Sequence, residues 1–351
     1  MGVDQSQVSQ AVHRAQNAAA KRGWSPHHGL INPVPEGFVV ERFSAQHKDE
    51  DGNVQWIKGK LDQEWVEKQV REAVDALKET IPKVKLTPLS KAIRAAELLN
   101  LHVVTDFHLG MKSWNEETGE DWDLEIAEDL LVRWMTIAIQ NAPPASVGVL
   151  AQLGDFLHWD GYDAVTPASK HLLDADTRFQ KLVRVAIRVL RQIVSLMLQK
   201  YDSVHLIFAD ANHDPASGAW QREMFAAFYD AEPRITVDNS ADSYYCLEHG
   251  LTSLFFHHGH KKKPQNVDDV MVSKFRSVFG RTKFSYCHMG HLHHDHKIET
   301  NLMTVEQHRT MAAKDAYASR NGWMSGRGAP VVTYSKQFGE VGRQVYTPEM
   351  V

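Results

Sequence analysis

The sequence has almost no cysteine, no long hydrophobic run and no large excess of charge of either sign. Its 351 residues include two cysteines, Cys246 and Cys287, which excludes a disulfide framework and favours a reducing compartment such as the cytoplasm. No segment approaches the roughly 20 apolar residues that span a membrane, and the polar N-terminus lacks the apolar core of a signal peptide. The chain is therefore expected to be soluble and cytoplasmic, without a membrane partner.

The charge balance also limits the partners. With a net charge of −5, the chain has no overall attraction to nucleic acid, so nucleic-acid binding would need a local basic patch. Histidine is unevenly distributed, because eight of the 20 lie between His257 and His296. A neutral imidazole is the commonest metal ligand, so this cluster indicates a metal site.

From about residue 91 onward, short apolar runs alternate with amphipathic stretches. This alternation predicts an α/β fold with flanking helices. The expected strands are 101–105, 147–153, 203–209, 251–256 and 284–288, and the expected helices are 124–141, 174–200, 216–229 and 266–276. Earlier in the chain, a helical stretch within 1–30, a hairpin turn at Asp51-Gly52 and a helix over 61–80 predict a small α+β appendage.

Five short polar motifs follow the expected strands. They are Asp106-Phe107-His108, Gly154-Asp155, Asn212-His213-Asp214, His258-Gly259-His260 and Gly290-His291-Leu292-His293. Sites in open α/β sheets form at the carboxyl ends of strands, so these motifs are expected to meet at one edge. Carboxylate, amide and imidazole groups bind divalent metals, and together they offer enough ligands for two ions. Two ions roughly 3.5–4 Å apart clamp a phosphoryl group during in-line attack, so the motifs favour a metal-dependent phosphoesterase.

As an ordered set, over roughly residues 98–300, these motifs resemble those of the calcineurin-like metallophosphoesterase superfamily. The resemblance implies a sheet sandwich flanked by helices and an active site with two metal ions. It assigns Asp106, His108 and His293 to the first ion. It assigns Asn212, His258 and His291 to the second ion, and it makes Asp155 the bridge between them.

The same resemblance suggests which residues act on the substrate. His213 would face the substrate and protonate the leaving oxygen or stabilise the transition-state charge, and Asp214 would orient it. The motif that begins at Gly154 ends in His158, which resembles the double-strand-break-repair nuclease branch, where the corresponding histidine helps to position DNA. The alternative for His158 is a local hydrogen-bond partner. One departure from the family pattern is Ala211, which stands before Asn212 where the family has glycine.

These expectations define a two-metal phosphodiesterase of nucleic acid, and specifically a DNA nuclease. The alternatives are an enzyme for a small nucleotide or phosphoprotein and a non-catalytic binding protein on the same fold. Ligands without thiolate suit Mn, Zn, Fe, Ni, Co or Mg, and Mn is expected. A homo-oligomer is left open. Residues 1–90 would form an appendage of unknown role, 91–300 the catalytic domain, and 301–351 an extension packed on or near it. This layout resembles proteins encoded by tailed phages.

Several further residues each have two interpretations. Lys261-Lys262-Lys263 is either a contact for a nucleic-acid backbone or a solvated loop. Trp114, Trp122 and Trp159 either stack on bases or pack within the protein. Of the histidines around the fourth and fifth motifs, His257 is interpreted as structural, His260 as a contact to substrate or metal, and His294 and His296 as outer or surface residues.

Overall fold

A computed structural model of the chain describes residues 5–21, 24, 38–39, 45–48, 54–57, 60–61, 64, 67–68, 72 and 95–351. The chain forms two compact units, Met1–Pro88 and Leu89–Val351. In the first unit, helix α1 spans Gln5–Lys21, and four short strands form two pairs: β1 (Phe38–Val39) with β4 (Lys60–Leu61), and β2 (Ala45–Lys48) with β3 (Val54–Ile57). The antiparallel β2–β3 pair agrees with the predicted hairpin, whose turn at Asp51-Gly52 lies outside the described residues. The predicted helix over 61–80 lies largely outside the described residues.

The second unit contains two mixed sheets packed face to face, with helices on the outside. Its strands are β5 (Leu98–Val104), β6 (Val147–Gln152), β7 (Ser203–Phe208), β8 (Ile235–Val237), β9 (Tyr245–His249), β10 (Thr252–His257), β11 (Phe284–Met289), β12 (His296–Glu299), β13 (Thr304–Gln307), β14 (Ala329–Ser335) and β15 (Gly339–Tyr346). Its α-helices are α2 (Asn115–Thr118), α3 (Leu124–Asn141), α4 (Phe179–Lys200), α5 (Pro215–Phe228), α6 (Asp268–Lys274), α7 (Arg276–Arg281) and α8 (Ala316–Arg320).

Strand order determines where the carboxyl ends of the strands lie. The six-stranded sheet has the order β15-β14-β5-β6-β7-β8, and β5 to β8 run parallel. The five-stranded sheet has the order β12-β13-β11-β10-β9, and β10, β11 and β13 run parallel. The carboxyl ends of β5, β6 and β7 therefore meet at one edge of the first sheet, and those of β10 and β11 at one edge of the second.

Apolar side chains on both faces of the strands hold the layers together. Between the two sheets, Leu101, Val149 and Ile207 pack with Leu254 and Phe256. On the outer face of the first sheet, a larger cluster includes the buried sides of α3, α4 and α5, and on the outer face of the second, α6 supplies the corresponding contacts. Burial on both faces explains why the strands are continuous apolar runs rather than alternating ones.

The expected α/β sandwich with flanking helices is confirmed, and the differences have local causes. The predicted helix over 266–276 is interrupted at Phe275, which leaves the helical conformation (φ −113°, ψ 36°) and packs its ring on Phe255. The predicted helix over 174–200 begins only at Phe179, because the backbone at Asp174 and Asp176 bonds to Lys112 and Gly110 instead. Residues 301–351 supply β13 to one sheet and β14 and β15 to the other.

Among the helices that the structure describes, none is long and apolar enough to cross a membrane. Cys246 is half-buried and Cys287 buried, and both are free thiols.

Candidate metal centre

Three side chains form a first group of candidate ligands. They are Asp106, His108 and His293, whose ligand atoms all lie within 4.8 Å of one another. The Nε2 atom of His293 is 3.2 Å from Oδ1 of Asp106 and 3.4 Å from Nε2 of His108. One carboxylate oxygen and two imidazole nitrogens thus converge on one point, which is a donor set that suits a divalent transition metal.

A second group consists of Asp155, His258 and His291, again with ligand atoms within 4.8 Å of one another. The Nε2 atom of His258 is 3.1 Å from Oδ2 of Asp155 and 3.0 Å from Oδ1 of Asn212. The other ring nitrogen of His258 is 2.8 Å from the carbonyl oxygen of Leu153. Metal-binding histidines are typically oriented in this way, with one nitrogen on a backbone carbonyl and the other facing the ion.

The segments that carry Asp106 and Asp155 lie side by side. The amide of Asp106 donates to the carbonyl of Gly154 at 3.0 Å, and that of His108 donates to the carbonyl of Asp155 at 3.0 Å. Burial lowers the pKa of His108 strongly, and the carboxylate of Asp155 opposes that shift, so its charge also acts on the first group. This placement is the one a bridging carboxylate needs, and bridging by Asp155 stays a prediction.

An unusual number of these residues have a left-handed backbone conformation. In the described part of the chain, six non-glycine residues have a positive φ, and five of them are candidate ligands: Asp106 (49°), His108 (45°), Asp155 (49°), His291 (78°) and His293 (55°). Only a few per cent of non-glycine residues adopt such angles, and they persist only where the surrounding structure enforces them. The concentration of strain at one place marks it as a candidate functional site.

Close packing of the motif backbones explains two residues of the pattern. A Cβ atom added to Gly290 would collide with Oγ1 of Thr105 and would lie 2.5 Å from Oδ2 of Asp106. Gly154 has a φ of +100°, and a Cβ atom there would lie 2.5 Å from Cβ of Ala211. Ala211 itself does not have a positive φ, so the alanine in place of the family's glycine is accommodated, with its methyl group in the space that Gly154 leaves.

The two carboxylates are buried, and each raises the pKa of the histidine that faces it. Burial lowers the pKa of His258, but the carboxylate of Asp155 outweighs burial and raises that pKa to about 9. Burial likewise lowers the pKa of His293, and Asp106 more than offsets it, so this pKa is also raised. Burial opposes the charged form of Asp106 and Asp155, yet their histidine partners hold the pKa of each carboxyl below its ordinary value.

Of the three candidate catalytic residues, His158 and His213 lie beside the first group. The ring of His213 is 4.8 Å from that of His108, and its Nδ1 atom is 3.0 Å from the carbonyl oxygen of His158. The orienting role expected of Asp214 therefore falls to the carbonyl of His158. The Asp214 carboxylate instead accepts from the amide of Leu157 at 2.8 Å. His158 is buried, with Nδ1 3.2 Å from Nδ1 of His108, so it contacts the far side of a candidate ligand.

The histidines and lysines next to the fourth and fifth motifs are not members of these groups, although the ring of His260 lies 5.4 Å from that of His258. His257 is buried and stacks on Tyr244 with ring centroids 4.5 Å apart, which agrees with a structural role. His260 and Lys261 both face Asp210, at 3.9 and 2.8 Å. Lys262 and Lys263 are exposed, and His294 is an exposed residue whose ring bonds to the carbonyl of Leu292.

The tryptophans divide between the two interpretations. Trp122 and Trp159 are each 1% exposed and belong to the core beneath the helices, so for both the interpretation of packing within the protein holds. Their rings follow strand ends in sequence but turn inward, where Trp122 packs against Phe107 and Trp159 against Phe179 of α4. Trp114 is 58% exposed and stays available for stacking.

Two features of the structure near the strand ends are not predicted from the sequence. The hydroxyl of Thr310 donates to the backbone carbonyl of Asp106 at 2.7 Å, and no local pattern signals a partner so distant along the chain. His288, Glu306 and His308 form another group of potential ligands between the sheets. The Glu306 carboxylate, however, is occupied by a two-point ion pair with Arg343, which leaves it poorly suited to a cation.

Comparisons with known proteins give only distant likenesses. No family model matches the chain, and no curated protein matches it. Similar solved structures include a predicted phosphoesterase from Streptococcus pneumoniae (8% identical, 71% of this chain and 97% of that chain, TM-score 0.31). They also include a dimetal phosphatase from Danio rerio (8%, 71% and 98%, TM-score 0.35) and an archaeal phosphodiesterase (11%, 70% and 99%, TM-score 0.34). Superpositions this loose carry no argument about activity, which depends on the residues described above.

Gly290→Ala should disrupt the centre, because the added methyl group collides with Thr105 and Asp106. We expect a loss of about 1–3 kcal/mol in the free energy of unfolding and fewer bound metal ions per chain. Chemical denaturation and metal analysis by mass spectrometry measure the two effects. Gly280→Ala is the matched control, since nothing lies within 4 Å of an added Cβ there. Equal metal content in the two variants would contradict the assignment of Gly290.

Metal binding should release protons, because a cation must displace the proton that His258 holds while its pKa is about 9. Below that pH, affinity should fall as pH falls, by up to about tenfold per unit for each proton displaced. Calorimetric titration with Mn²⁺ in buffers of different ionisation enthalpy counts the protons. A heat of binding that does not depend on the buffer at pH 7 would contradict the predicted displacement.

Proposed function

We propose that this chain is a two-metal phosphodiesterase that hydrolyses nucleic acid, and that its substrate is DNA. The observation that carries the proposal is the convergence of two adjacent histidine–carboxylate groups whose backbone is held in left-handed conformations. A buried cluster of this kind costs stability, and such strain is characteristic of sites where chemistry takes place. The five motifs supply this arrangement from strand ends in both sheets.

The donor set fits two divalent cations. Asp106, His108 and His293 would hold one ion and Asn212, His258 and His291 the other, with Asp155 contributing to both. The ions would replace His258, whose pKa is raised to about 9, as a positive partner of the carboxylates, so their charge stays compensated. Bound there, the ions would supply Lewis acidity towards the phosphoryl oxygens and a lower pKa for an attacking water. Oxygen and imidazole donors without thiolate suit Mn²⁺, which is the ion we propose.

His213 is suited to proton transfer to the leaving group. Its Nδ1–H donates to the carbonyl of His158, at 3.0 Å between the heavy atoms, and this contact fixes the ring. The proton that the ring exchanges is consequently on Nε2. Because the ring lies against that of His108, a phosphodiester held at the first group would present its leaving oxygen near His213. His158 acts here as a positioning residue, through its carbonyl on His213 and its ring on His108.

Exposed groups beside the centre support nucleic acid as the substrate. Lys262 and Lys263 extend into solvent directly after the fourth motif, and Trp114 is exposed after the first. Cations that meet a phosphate backbone and rings that meet bases are the two elements of single-strand recognition. Lys261 does not take part, because it is bound to Asp210 and Ser243.

The first experiment compares hydrolysis of labelled single- and double-stranded DNA with hydrolysis of bis-p-nitrophenyl phosphate in Mn²⁺. Asp155→Asn is the control, because it removes the charge of Asp155 and keeps an oxygen that accepts from the amide of His213. DNA cleavage that the control lacks supports the proposal. Hydrolysis of the small diester alone indicates a small nucleotide or other small phosphate ester as the substrate, and metal binding without hydrolysis indicates a non-catalytic binding protein.

His213→Ala should lower turnover by about 10²–10⁴-fold, the usual contribution of a positioned acid or base, while both metals stay bound. The matched control is His294→Ala, an exposed histidine whose removal should leave turnover unchanged. Steady-state hydrolysis of DNA together with metal analysis separates the two effects. Near-normal turnover in His213→Ala would remove His213 from the mechanism, and loss of metal would give it a structural role instead.

A further inference from the structure

Four exposed apolar side chains lie on two neighbouring segments near the first ligand group. Trp114 is 58% exposed, Tyr317 64%, Trp323 56% and Met324 75%. The chain is able to bury tryptophan, since Trp122 and Trp159 are each 1% exposed. Large apolar side chains left in water as a group mark a surface that meets a ligand. We call Trp114, Tyr317, Trp323 and Met324 the aromatic ledge.

The two segments that carry the ledge are held together by specific contacts. The hydroxyl of Ser113 donates to the carbonyl of Lys314, and that of Ser319 to the carbonyl of Glu117, both at 2.8 Å. Arg320 forms an ion pair with Glu117 at 2.5 Å. Tyr317 and Trp323 meet edge to face, with ring centroids 5.5 Å apart. The rings of Tyr317 and Trp323 are therefore positioned before any ligand arrives, which lowers the entropic cost of binding.

The topology of the sheets places both ends of the segment that carries Tyr317, Trp323 and Met324 at the edge of the metal centre. The segment 308–328 connects β13 of one sheet to β14 of the other. Strand β13 runs parallel to β11 and β14 runs antiparallel to β5, so this connection begins and ends at the edge where β5 and β11 deliver their ligands. The hydrogen bond from Thr310 to the carbonyl of Asp106 ties it there.

We propose that the aromatic ledge stacks unpaired bases of a single DNA strand whose phosphodiester lies at the metal centre. This inference rests on the proposed function, because the bases that flank a scissile phosphate must lie beside the ligands that hold it. Rings stack on any base through its face, and unpaired bases expose those faces. Lys314, on the same segment, supplies a cation for the backbone, whereas Arg320 and Arg327 are paired with Glu117 and Glu120.

The test measures by fluorescence anisotropy how tightly the wild type and its variants bind a labelled thymidine oligonucleotide. Metal is chelated so that no cleavage occurs. The double variant Trp114→Ala/Trp323→Ala should bind at least about tenfold more weakly than the wild type. The loss should persist at high salt, because stacking does not depend on counterion release as phosphate contacts do. The variant Trp114→Phe/Trp323→Phe keeps both rings and should retain most of the affinity.

Two controls separate the ledge from the metal centre. Phe338→Ala removes an exposed ring at the turn between β14 and β15, whose backbone bonds to Glu97 and Leu251 at the amino ends of β5 and β10, and it should bind like the wild type. The double alanine variant should bind as many Mn²⁺ ions per chain as the wild type, because neither tryptophan is a candidate metal ligand. Equal affinity of the double alanine variant and the wild type for the oligonucleotide would overturn the proposal that the aromatic ledge stacks bases. Absence of binding by the wild type would overturn it as well. Failure of the wild type to cleave DNA would overturn the proposed nuclease activity, independently of the result for the aromatic ledge.

Discussion

The structure depends on one constraint, the burial of two carboxylates at the edge of a sheet sandwich. Asp106 and Asp155 are 0% and 1% exposed. Removing a charge from water costs several kcal/mol unless donors compensate it. Asp106 accepts from the amide of His291 at 2.9 Å and Asp155 from the amide of His213 at 2.8 Å, and each also faces an imidazole. Those donors come from different strands, so the carboxylates are compensated only when both sheets have assembled.

The same requirement explains the unusual backbone around the centre. An amide that points at a carboxylate just beyond a strand end requires the chain to turn sharply there, and the left-handed region provides such a turn. His291 adopts a strained φ of 78° in this turn. Gly290, the residue before it, has no Cβ atom, so the backbone there can approach Asp106 closely. The strained backbone and the candidate ligands therefore have the same origin. The chain turns sharply at each strand end, and the turn leaves a polar group facing inward.

The sequence predicts what is local and leaves out what depends on distant contacts. Helix α3 is predicted at its observed bounds because Asp123 caps it and its buried residues recur at helical spacing. The strands that carry the motifs are recognisable because both faces are buried. Strand β15 is not, since Gly339-Glu340-Val341-Gly342-Arg343 reads as a loop until it pairs with β14. Likewise Thr310 and the inward turn of Trp122 follow from contacts with residues far along the chain.

The connection between β13 and β14 shows why the last fifty residues matter to the site. A chain that leaves one sheet and joins the other at the ligand edge must cross that edge, whatever its sequence. The ligand groups themselves are fixed by strand ends and tolerate little change, as the space around Gly290 shows. Differences in substrate are more easily accommodated in loops that a rigid scaffold positions. In this chain the segment 308–328 is such a loop, so under the proposed function its composition, rather than the candidate metal ligands, would determine which substrate is bound.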